Sequence, residues 1–335
     1  MTLFQRIEAI SQLGKLLSKL SKEELSEWTW KAGNENRWFT PEAVQNALDG
    51  LVKMLSTESL EQWTKNYAIN DSDKRIGIVM AGNIPLVGFH DLLSVLITGH
   101  TALIKLSSQD KVLMPLVTQL LVSIEPEFKT KINYITKLEN TDAVIATGSD
   151  NSARYFKQYF GQQPHIIRQN RTSCAVLTGS ETDEEIIALG KDIFTYFGLG
   201  CRNASKLYVP EEYDFIHFLN LLEQYKEIGN HSKWVNNYDY NKSIYLVNRE
   251  PHLDNGFLLL RESSELVSPL SVLFYEKYRD LSNLKTKLAN QENKIQCVVG
   301  SKEAEISPIP FGQTQYPALW DYADGVDTLN FLSKI

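Results

Sequence analysis

The sequence predicts an α/β protein in which two sheet-containing domains follow a helical N-terminal segment. From Lys74 onward, short β-rich runs alternate with helical runs, which is typical of βαβ units in a parallel sheet. Before Lys74, apolar residues repeat with helical spacing. A chain of 335 residues that is 43% hydrophobic is long enough to fill the cores of more than one domain.

The N-terminal segment, residues 1–73, carries amphipathic helices. In its first helix the apolar positions are spaced three or four apart and are Leu3, Ile7, Ile10, Leu13, Leu17 and Leu20. A helical pattern also runs through residues 41–67, where Leu60 and Trp63 supply the apolar side. Helices that are apolar on one side need a partner surface, so we predict that this segment is scaffold and carries no chemistry.

Two α/β domains are predicted after this segment, with a boundary near residues 170–173. In residues 74–172 the alternating runs are RIGIVM, VGFHDLLSVLI, TALIKL, VLMPLVTQLLVSI and DAVIAT. In residues 173–312 the β-rich runs are SCAVLT, KLYVP, SIYLV, FLLLRE, LSVLFYE and KIQCVVG, with a helix over residues 181–197. The last residues, 313–335, are expected to return to the first of these domains.

Composition excludes several classes of function. A net charge of −7 with dispersed basic residues gives no footprint for nucleic acid. The longest apolar stretch, residues 84–104, contains Pro85, Asp91 and two histidines, and is too polar to span a membrane. The first residues scatter charges among apolar ones, unlike a signal peptide. Three cysteines form no CxxC pair and no zinc-binding spacing, so we expect a reducing, cytoplasmic location, no metal, and a small-molecule substrate.

The first strand of the sheet leads into a turn suited to ligand binding. The run RIGIVM ends at Met80 and is followed by Gly82 and Asn83, with Pro85 placed to begin a helix. Loops at the carboxyl ends of parallel strands are where α/β proteins bind ligands. Asparagine also favours turns and helix caps, so Asn83 alone does not establish a function.

Two further strand ends carry polar residues. The run TALIKL reaches Lys105 and is followed by Ser107 and Ser108, which offer a charge and hydrogen-bond donors beside a bound nucleotide. The run DAVIAT leads into Gly148 and Ser149 and then into a predicted helix, whose N-terminus favours phosphate. Each feature taken alone is also compatible with an ordinary surface turn.

Cys201 is the candidate nucleophile. It follows two glycines in FGLGCRNASKLYVP, and a backbone N–H near its sulfur could stabilise the oxyanion formed when a thiolate attacks a carbonyl. Cys174 and Cys297 lie inside apolar runs and are predicted to be buried core cysteines. Histidine is absent from the residues around Cys201, so the sequence does not indicate a Cys-His pair.

In their order along the chain, these segments resemble the aldehyde dehydrogenase superfamily. The shared features are an Asn-x-Pro turn, a strand ending in Lys-x-Ser, a strand ending in Thr-Gly-Ser and a Gly-x-Gly-Cys loop. The segment from Glu265 to Pro269 is similar to the superfamily's Glu-x-Phe-Gly-Pro, with two positions departing, and PFGQTQ is similar to its Pro-Phe-Gly-Gly element. The helical N-terminus, the short length and the Cys201 loop look most like the LuxC-like fatty acyl-CoA reductases. The resemblance covers residues 74–330.

This resemblance implies an aldehyde-dehydrogenase-like fold, with a Rossmann-like dinucleotide-binding domain over residues 74–172 and an α/β catalytic domain over residues 173–312. It implies that Cys201 is the nucleophile and that Asn83 donates to the oxyanion. The implied cofactor contacts are Lys105 and Ser107 at the adenosine ribose, Gly148 and Ser149 at the pyrophosphate, and Glu265 at the nicotinamide ribose. Glu265 can also be read as one more surface carboxylate of the charged stretch RESSE.

Two departures from the oxidising members indicate a reductase. Where those members carry Glu-Leu-Gly-Gly, this chain reads Arg168-Gln-Asn-Arg171, so the general-base glutamate is absent. Hydrolysis of an acyl-enzyme needs such a base, whereas its reduction by hydride does not. Where NAD-selective members often place a glutamate after Lys-x-Ser, this chain has Ser108, which would not repel a 2′-phosphate, and Lys105 can pair with that phosphate. NADPH is therefore the predicted cofactor.

The sequence thus predicts NADPH-dependent reduction of an acyl-CoA or acyl thioester to an aldehyde through a Cys201 acyl-enzyme. Three alternatives stay open: an oxidative aldehyde dehydrogenase, a thioester-forming acyltransferase or acyl carrier without nicotinamide chemistry, and a catalytically silent scaffold. The expected partners are acyl-CoA and a protein that supplies the acyl group or consumes the aldehyde. The sequence leaves a homo-oligomer open.

Overall fold

The computed structural model describes residues 1–69, 72–301, 304, 306 and 309–335, and the chain divides into two compact units. The first unit contains residues Met1–Asn170 and Tyr316–Ile335, and the second contains Arg171–Gln315. The helices are α1 (Leu3–Leu17), α2 (Lys22–Glu35), α3 (Pro41–Met54), α4 (Thr57–Thr64), α5 (Phe89–Ile97), α6 (Leu113–Ile124), α7 (Phe128–Lys131), α8 (Asp150–Phe160), α9 (Asp183–Phe194), α10 (Phe215–Leu221), α11 (Ser232–Asn248), α12 (Leu281–Ala289) and α13 (Thr328–Ser333). The strands are β1 (Arg75–Val79), β2 (Thr101–Lys105), β3 (Ile132–Tyr134), β4 (Ala143–Thr147), β5 (His165–Arg168), β6 (Thr172–Val176), β7 (Ala204–Pro210), β8 (Leu253–Asp254), β9 (Leu259–Glu262), β10 (Val272–Tyr278) and β11 (Ile295–Gly300).

The first unit is built on a parallel sheet with the strand order β3-β2-β1-β4-β5. Strands β1 to β3 extend the sheet to one side, and β4 and β5 extend it to the other. The side of the sheet to which successive strands are added therefore changes between β1 and β4. Such a switch point leaves a crevice at the carboxyl ends of these two parallel strands. The central strands are buried on both faces, which explains their continuous apolar runs.

The N-terminal helices belong to the first unit. Helix α1 begins with a capping box in which the Thr2 hydroxyl accepts from the Gln5 N–H and the Gln5 side chain accepts from the Thr2 N–H. Buried Arg6 donates from Nε to the carbonyl of Ile97 at 3.0 Å, so α1 is hydrogen-bonded to the end of α5. The buried apolar residues of α1 confirm the predicted spacing and are Ile7, Ala9, Ile10, Leu13 and Leu17.

The C-terminal residues are hydrogen-bonded to the helices and sheet of the first unit. Trp63 Nε1 donates to the Tyr322 hydroxyl at 2.7 Å, and the Tyr67 hydroxyl donates to Asp327 at 2.9 Å. Buried His100, at the start of β2, lies 3.0 Å from the carbonyl of Leu332 through Nε2. Residues 316–335 are therefore an integral part of this unit.

The second unit is built on a sheet with the order β11-β6-β7-β10-β9-β8, in which only the pair β8 and β9 is antiparallel. One face packs its apolar side chains against α9 and α10, with Leu189, Leu207 and Phe218 in the core. The other face packs against α12 through Tyr208 and Leu284. Among the residues that the structure describes, no helix has the length and apolar character needed to cross a membrane.

Two local predictions were wrong. The run SIYLV was predicted as β-rich but lies in α11, whose buried residues Trp234, Tyr238 and Tyr245 follow helical spacing. Here packing over the whole helix outweighs the local preference of β-branched residues. Pro85 does not start a helix, since α5 begins at Phe89 and the intervening Leu86 has a left-handed backbone with φ of 58°.

Candidate active site

The predicted residues of the first unit meet at one edge of its sheet. Asn83 follows β1, Lys105 ends β2 and Gly148 follows β4, and β1 lies between the other two strands. Because the strands are parallel, their carboxyl ends share one edge, and the β1/β4 switch point lies there. Lys105, Ser108 and Ser149 are exposed at this edge, whereas Asn83, Ser107 and Gly148 are half-buried.

The turn after β1 packs directly on the loop after β2. A Cβ added at Gly82 would lie 2.6 Å from both Cβ and Oγ of Ser107 and 3.0 Å from the backbone nitrogen of Asp110. Only glycine allows this close approach. The Asn83 turn and the Ser107 loop are therefore in contact.

Asp110 holds the Asn83 turn from inside the first unit. Its Oδ2 accepts from the N–H of Leu86 at 2.9 Å, and Leu86 is the residue with the left-handed backbone. Burial raises the pKa of Asp110, although the N–H groups of Leu86 and Leu113 oppose that shift. Sequence reasoning missed Asp110, because its role depends on a contact with a residue 24 positions away.

The N-terminus of α8 adds hydrogen-bond donors to the same edge. Ser149 is the N-cap, and its hydroxyl accepts from the N–H of Ser152 at 3.2 Å, as expected for a helix beginning at Asp150. A helix N-terminus is electropositive, and Lys105 adds a positive charge. The exposed carboxylate of Asp150 lies in the first turn of the helix. This edge has the chemistry to bind a phosphate-containing ligand.

Arg168 has a structural role within the first unit. One guanidinium nitrogen donates to both carboxylate oxygens of Asp91, at 2.5 and 2.6 Å, and another donates to the Thr328 hydroxyl at 2.7 Å. All three residues are buried. The ion pair joins β5 to α5, and the hydrogen bond to Thr328 joins β5 to α13, so the Arg168 side chain is engaged in contacts inside the first unit.

In the second unit, a strained backbone precedes Cys201. After α9 ends, Tyr196, Phe197 and Gly198 all have left-handed backbones, with φ of 54°, 57° and 71°. Glycine adopts this conformation readily, but two aromatic residues in succession do not, and such strain persists only where surrounding contacts hold it. Cys201 itself is partly exposed and lies three residues before β7 begins.

Buried polar side chains surround the Cys201 turn. The side-chain oxygen of Asn203 accepts from the Gly200 N–H at 2.8 Å, and its nitrogen donates to the Thr195 carbonyl at 2.8 Å. The Ser173 hydroxyl donates to the Cys201 carbonyl at 3.0 Å. Sequence reasoning missed both residues. For Asn203, its place two residues after the cysteine was a usable signal, whereas Ser173 comes close only through the pairing of β6 with β7.

The other cysteines differ from each other. Cys174 is fully buried, and desolvation raises its pKa to about 12, so its thiol stays protonated at neutral pH and is a poor nucleophile. The prediction that Cys297 is a core residue was wrong, since it is partly exposed. The reason is that β11 is an edge strand of the sheet. Its sulfur lies 3.0 Å from the Ser173 hydroxyl oxygen.

The loop that carries Glu265 lies beside the strand that follows Cys201. Glu265 is exposed between β9 and β10, and the next residue, Leu266, accepts from the Ser205 hydroxyl at 3.0 Å. Ser205 is the second residue of β7. The second unit thus brings the Glu265 loop to the same end of the sheet as the Cys201 turn.

The Pro-Phe-Gly segment is held by a buried carboxylate of α9. Asp192 accepts from the N–H of Gly312 at 2.6 Å and from the N–H and hydroxyl of Thr314 at 3.1 and 2.8 Å. Burial raises the pKa of Asp192, and these three donors oppose the shift. Because the Asp192 carbonyl also accepts from Asn203 at 3.0 Å, one residue contacts both this segment and the Cys201 turn.

Comparisons with known proteins agree with this architecture. A family model described as acyl-CoA reductase (LuxC) matches residues 12–225. Long-chain acyl-protein thioester reductase 2 of Photobacterium leiognathi is 24% identical over 191 residues, which cover 51% of this chain and 40% of that protein. The match therefore spans less than half of that relative's length.

Solved structures show the fold. Aldehyde dehydrogenase 21 of Physcomitrella patens superposes with a TM-score of 0.65 and 14% identity, covering 90% of this chain and 73% of that one. Indole-3-acetaldehyde dehydrogenase of P. syringae, solved with NAD+ and IAA, gives a TM-score of 0.67 and 11% identity over 90% and 72% of the two chains. The fold is thus that of aldehyde dehydrogenases, and because the family match covers more than half of the sequence, the chain belongs to the LuxC family of acyl-CoA reductases.

Proposed function

We propose that this protein reduces an acyl-CoA, or another acyl thioester, to an aldehyde with NADPH, through a thioester on Cys201. The observation that carries the proposal is the strained, firmly hydrogen-bonded turn that presents a partly exposed Cys201. Family membership supports acyl reduction, and the curated relative is named for the reduction of an acyl-protein thioester. Cys174, in contrast, is buried, and its raised pKa makes it a poor nucleophile.

In the first step the Cys201 thiolate attacks the thioester carbonyl. The carbon–sulfur bond to CoA then breaks, CoA leaves as a thiolate that takes up a proton, and the acyl group stays on Cys201. The developing oxyanion needs donors, and we assign the Cys201 backbone N–H and the Asn83 side-chain N–H to this role. Loss of one such donor typically costs about 2.7–4 kcal/mol of transition-state stabilisation.

The direction of the reaction follows from Arg168. An oxidative enzyme must activate water to hydrolyse its acyl-enzyme, and the resembled oxidising enzymes do so with a glutamate in this segment. Here Arg168 is buried and paired with Asp91, and the neighbouring Gln169 and Asn170 cannot act as carboxylate bases. We therefore expect the acyl-enzyme to hydrolyse slowly, so that the acyl group stays on Cys201 until it is reduced.

The residues at the carboxyl edge of the first sheet fit a dinucleotide. The proposed contacts of this edge are Lys105 and Ser107 at the adenosine ribose and Gly148 and Ser149 at the pyrophosphate. Glu265, in the second unit, is proposed to contact the nicotinamide ribose. The exposed Ser108 carries no negative charge to repel a 2′-phosphate, and Lys105 supplies a cation for it. When bound, NADPH supplies the hydride, and reduction of the thioester releases the aldehyde and restores the Cys201 thiol.

The acyl donor is proposed to be acyl-CoA, with an acylated protein as a second source of the same thioester. The name of the curated relative refers to an acyl-protein, and a protein that supplies the acyl group or consumes the aldehyde is the corresponding partner. A homo-oligomer is also part of this proposal.

The test is mass spectrometry of the intact protein after incubation with a panel of acyl-CoAs. We expect one added acyl mass on Cys201, stable in buffer and discharged as aldehyde when NADPH is added. Protein that never gains the acyl mass would overturn the proposal. Discharge as free acid without cofactor would indicate hydrolysis, and an acyl mass that persists with NADPH would indicate an acyl carrier or acyltransferase.

A further inference from the structure

We infer that Asn203 and Ser173 are positioning residues that fix the orientation of the Cys201 side chain and of its backbone N–H. This inference rests on the proposed function, because it concerns the alignment of the proposed nucleophile. Neither side chain is more than 1% exposed, and both contact the backbone of the turn that bears Cys201.

Asn203 joins the two sides of the strained segment. Its side-chain nitrogen donates to the carbonyls of Thr195 and Asp192 at 2.8 and 3.0 Å, before the left-handed residues, and its side-chain oxygen accepts from the Gly200 N–H after them. The end of a helix leaves carbonyls without partners, and this amide satisfies them. An amide is required because the side chain must donate and accept at once.

Ser173 holds the turn from the neighbouring strand. A carbonyl can only accept, so the single hydroxyl proton of Ser173 goes to the Cys201 carbonyl at 3.0 Å. The hydroxyl oxygen then accepts from the Cys297 N–H at 3.2 Å and from the Cys297 thiol at 3.0 Å. The backbone N–H of Ser173 also donates to the Asn203 carbonyl at 3.2 Å.

Together these contacts hold three successive peptide groups. The peptide group before Gly200 is held through its N–H, which donates to the Asn203 side chain. The peptide group after Cys201 is held through the Cys201 carbonyl, which accepts from Ser173. The peptide between them has its Gly200 carbonyl held by the Asn203 N–H at 3.0 Å. In a planar trans peptide the C=O and the N–H point in opposite directions, so holding the Gly200 carbonyl also fixes the direction of the Cys201 N–H. Backbone torsions at Cys201, and thus its Cα–Cβ direction, are fixed by the same contacts.

The experiment compares two reactions of Cys201 in four variants, Asn203→Ala, Asn203→Asp, Ser173→Ala and Ser173→Thr. Acylation by acyl-CoA needs the sulfur and the oxyanion donors aligned, whereas alkylation by iodoacetamide needs only an accessible thiolate. Acylation is followed by rapid quenching and intact mass, and alkylation is followed across pH. A smaller thiolate fraction at Cys201, or disorder of the whole turn, would change the rates of both reactions.

We expect both alanine variants to acylate on the order of 10 to 100 times more slowly, with alkylation rates and their pH midpoint nearly unchanged. Ser173→Thr keeps the hydroxyl and should acylate at close to the wild-type rate. Asn203→Asp keeps the acceptor but loses the donors, so its acylation should be slowed by roughly fivefold or more. The binding constant for NADPH should not change in any variant.

Two matched controls separate alignment from lost packing. Asn241 is a buried asparagine of α11 whose side chain donates to the carbonyls of Asn237 and Leu270 at 2.9 and 3.0 Å. Ser11 is a buried serine of α1 whose hydroxyl pairs with that of Thr57 at 2.7 Å. Replacing either by alanine removes comparable contacts, and acylation should stay at the wild-type rate.

The outcomes distinguish this inference from the proposal on which it rests. If the wild-type protein is not acylated, the proposed function fails, and the inference fails with it. If the wild type is acylated and the folded alanine variants match it, only the inference fails. An equal loss in acylation and alkylation also overturns the inference. Should the alanine variants not fold, Asn203→Asp decides the matter, and acylation of that variant at the wild-type rate would overturn the inference.

Discussion

The Asn83 turn in the first unit and the Cys201 turn in the second are built in a similar way but are held by different kinds of group. Each is accompanied by left-handed residues other than glycine, Leu86 in the first and Tyr196 and Phe197 in the second. In the first turn, the carboxylate of Asp110 accepts from the N–H of Leu86, three residues from Asn83. The second is held on the peptide groups on both sides of Cys201.

The two turns also differ in the solvent exposure of the residues next to them. Next to the Asn83 turn, Lys105, Ser108 and Ser149 at the sheet edge are exposed and polar, as is suitable for groups that contact a ligand which binds and dissociates. Next to the Cys201 turn, the supporting side chains are buried, as is suitable for a nucleophile that must be aligned before substrate arrives. Changes around Cys201, and the loss of the proposed oxyanion donor Asn83, should therefore affect the acylation step itself. Changes at the exposed residues Lys105 and Ser108 should mainly affect which ligand binds.

The largest expected effect is that of Cys201→Ala, which should abolish acyl labelling while the protein remains folded. Radioactive acyl-CoA measures the label, and the matched control is Cys174→Ala, which should retain it. Cys174 is a core residue, so its replacement can cost ~0.5–3 kcal/mol of stability, typical of single mutations. Label that persists in Cys201→Ala would show that the acyl group is carried elsewhere.

Next in size is the effect of Arg168→Met on the stability of the first unit. The change leaves the Asp91 carboxylate buried without its ion-pair partner, and breaking a buried pair in this way costs about 3–5 kcal/mol. Urea unfolding should show a much lower midpoint. The double variant Arg168→Met, Asp91→Leu removes the stranded charge and should recover most of the loss. No recovery would mean that Arg168 contributes mainly through its contact with Thr328.

Much of the fold could be predicted from the sequence because its signals are local. Strand ends at Lys105, the helix start at Asp150 and the apolar face of α1 each depend on a few neighbouring residues. The wrong predictions concern residues whose burial or secondary structure is determined by contacts with residues distant in the sequence. Cys297 is in an apolar run but on an edge strand, and SIYLV is β-branched and aromatic but packs as part of a long helix.

The candidate site could be predicted only in part for the same reason. Cys201 and Asn83 stand in turns that are recognisable in the sequence, so they could be put forward as site residues, and they stay predictions. Residues that hold those turns are recognisable only once the strands are paired. Ser173 is one polar residue within an apolar strand, and nothing in the run SCAVLT indicates that its hydroxyl reaches the Cys201 carbonyl.

A third prediction tests whether the Asn83 turn takes part in acylation. Asn83→Ala should slow acylation on the order of 10²–10³-fold, because an oxyanion donor acts where charge develops. NADPH affinity, measured by fluorescence titration, should change little. The control is Asn133→Ala, which alters an exposed asparagine on β3 of the same unit and should have no effect. Acylation within a few-fold of wild type would leave Asn83 as a turn residue only.

The smallest expected effect concerns cofactor choice at the exposed edge. Lys105 ends β2 with its side chain exposed, and Ser108 follows in the same loop. We expect the ratio of kcat/KM for NADPH to that for NADH to exceed one in the wild type, because a 2′-phosphate gains a cation and meets no carboxylate there. Lys105→Ala should remove most of this preference, and Ser108→Glu should reverse it by repulsion. A charge-assisted hydrogen bond is worth ~1.5–3 kcal/mol, so either change should shift the ratio by roughly tenfold or more.

Lys129→Ala, which removes an exposed lysine of α7, should leave the ratio unchanged. Because these residues lie on an open edge, the acylation rate without cofactor should be unaffected in all three variants. If the ratio stays constant in Lys105→Ala and Ser108→Glu, the loop after β2 does not contact the adenosine ribose. The proposed cofactor-binding edge would then consist only of the loops that follow β1 and β4.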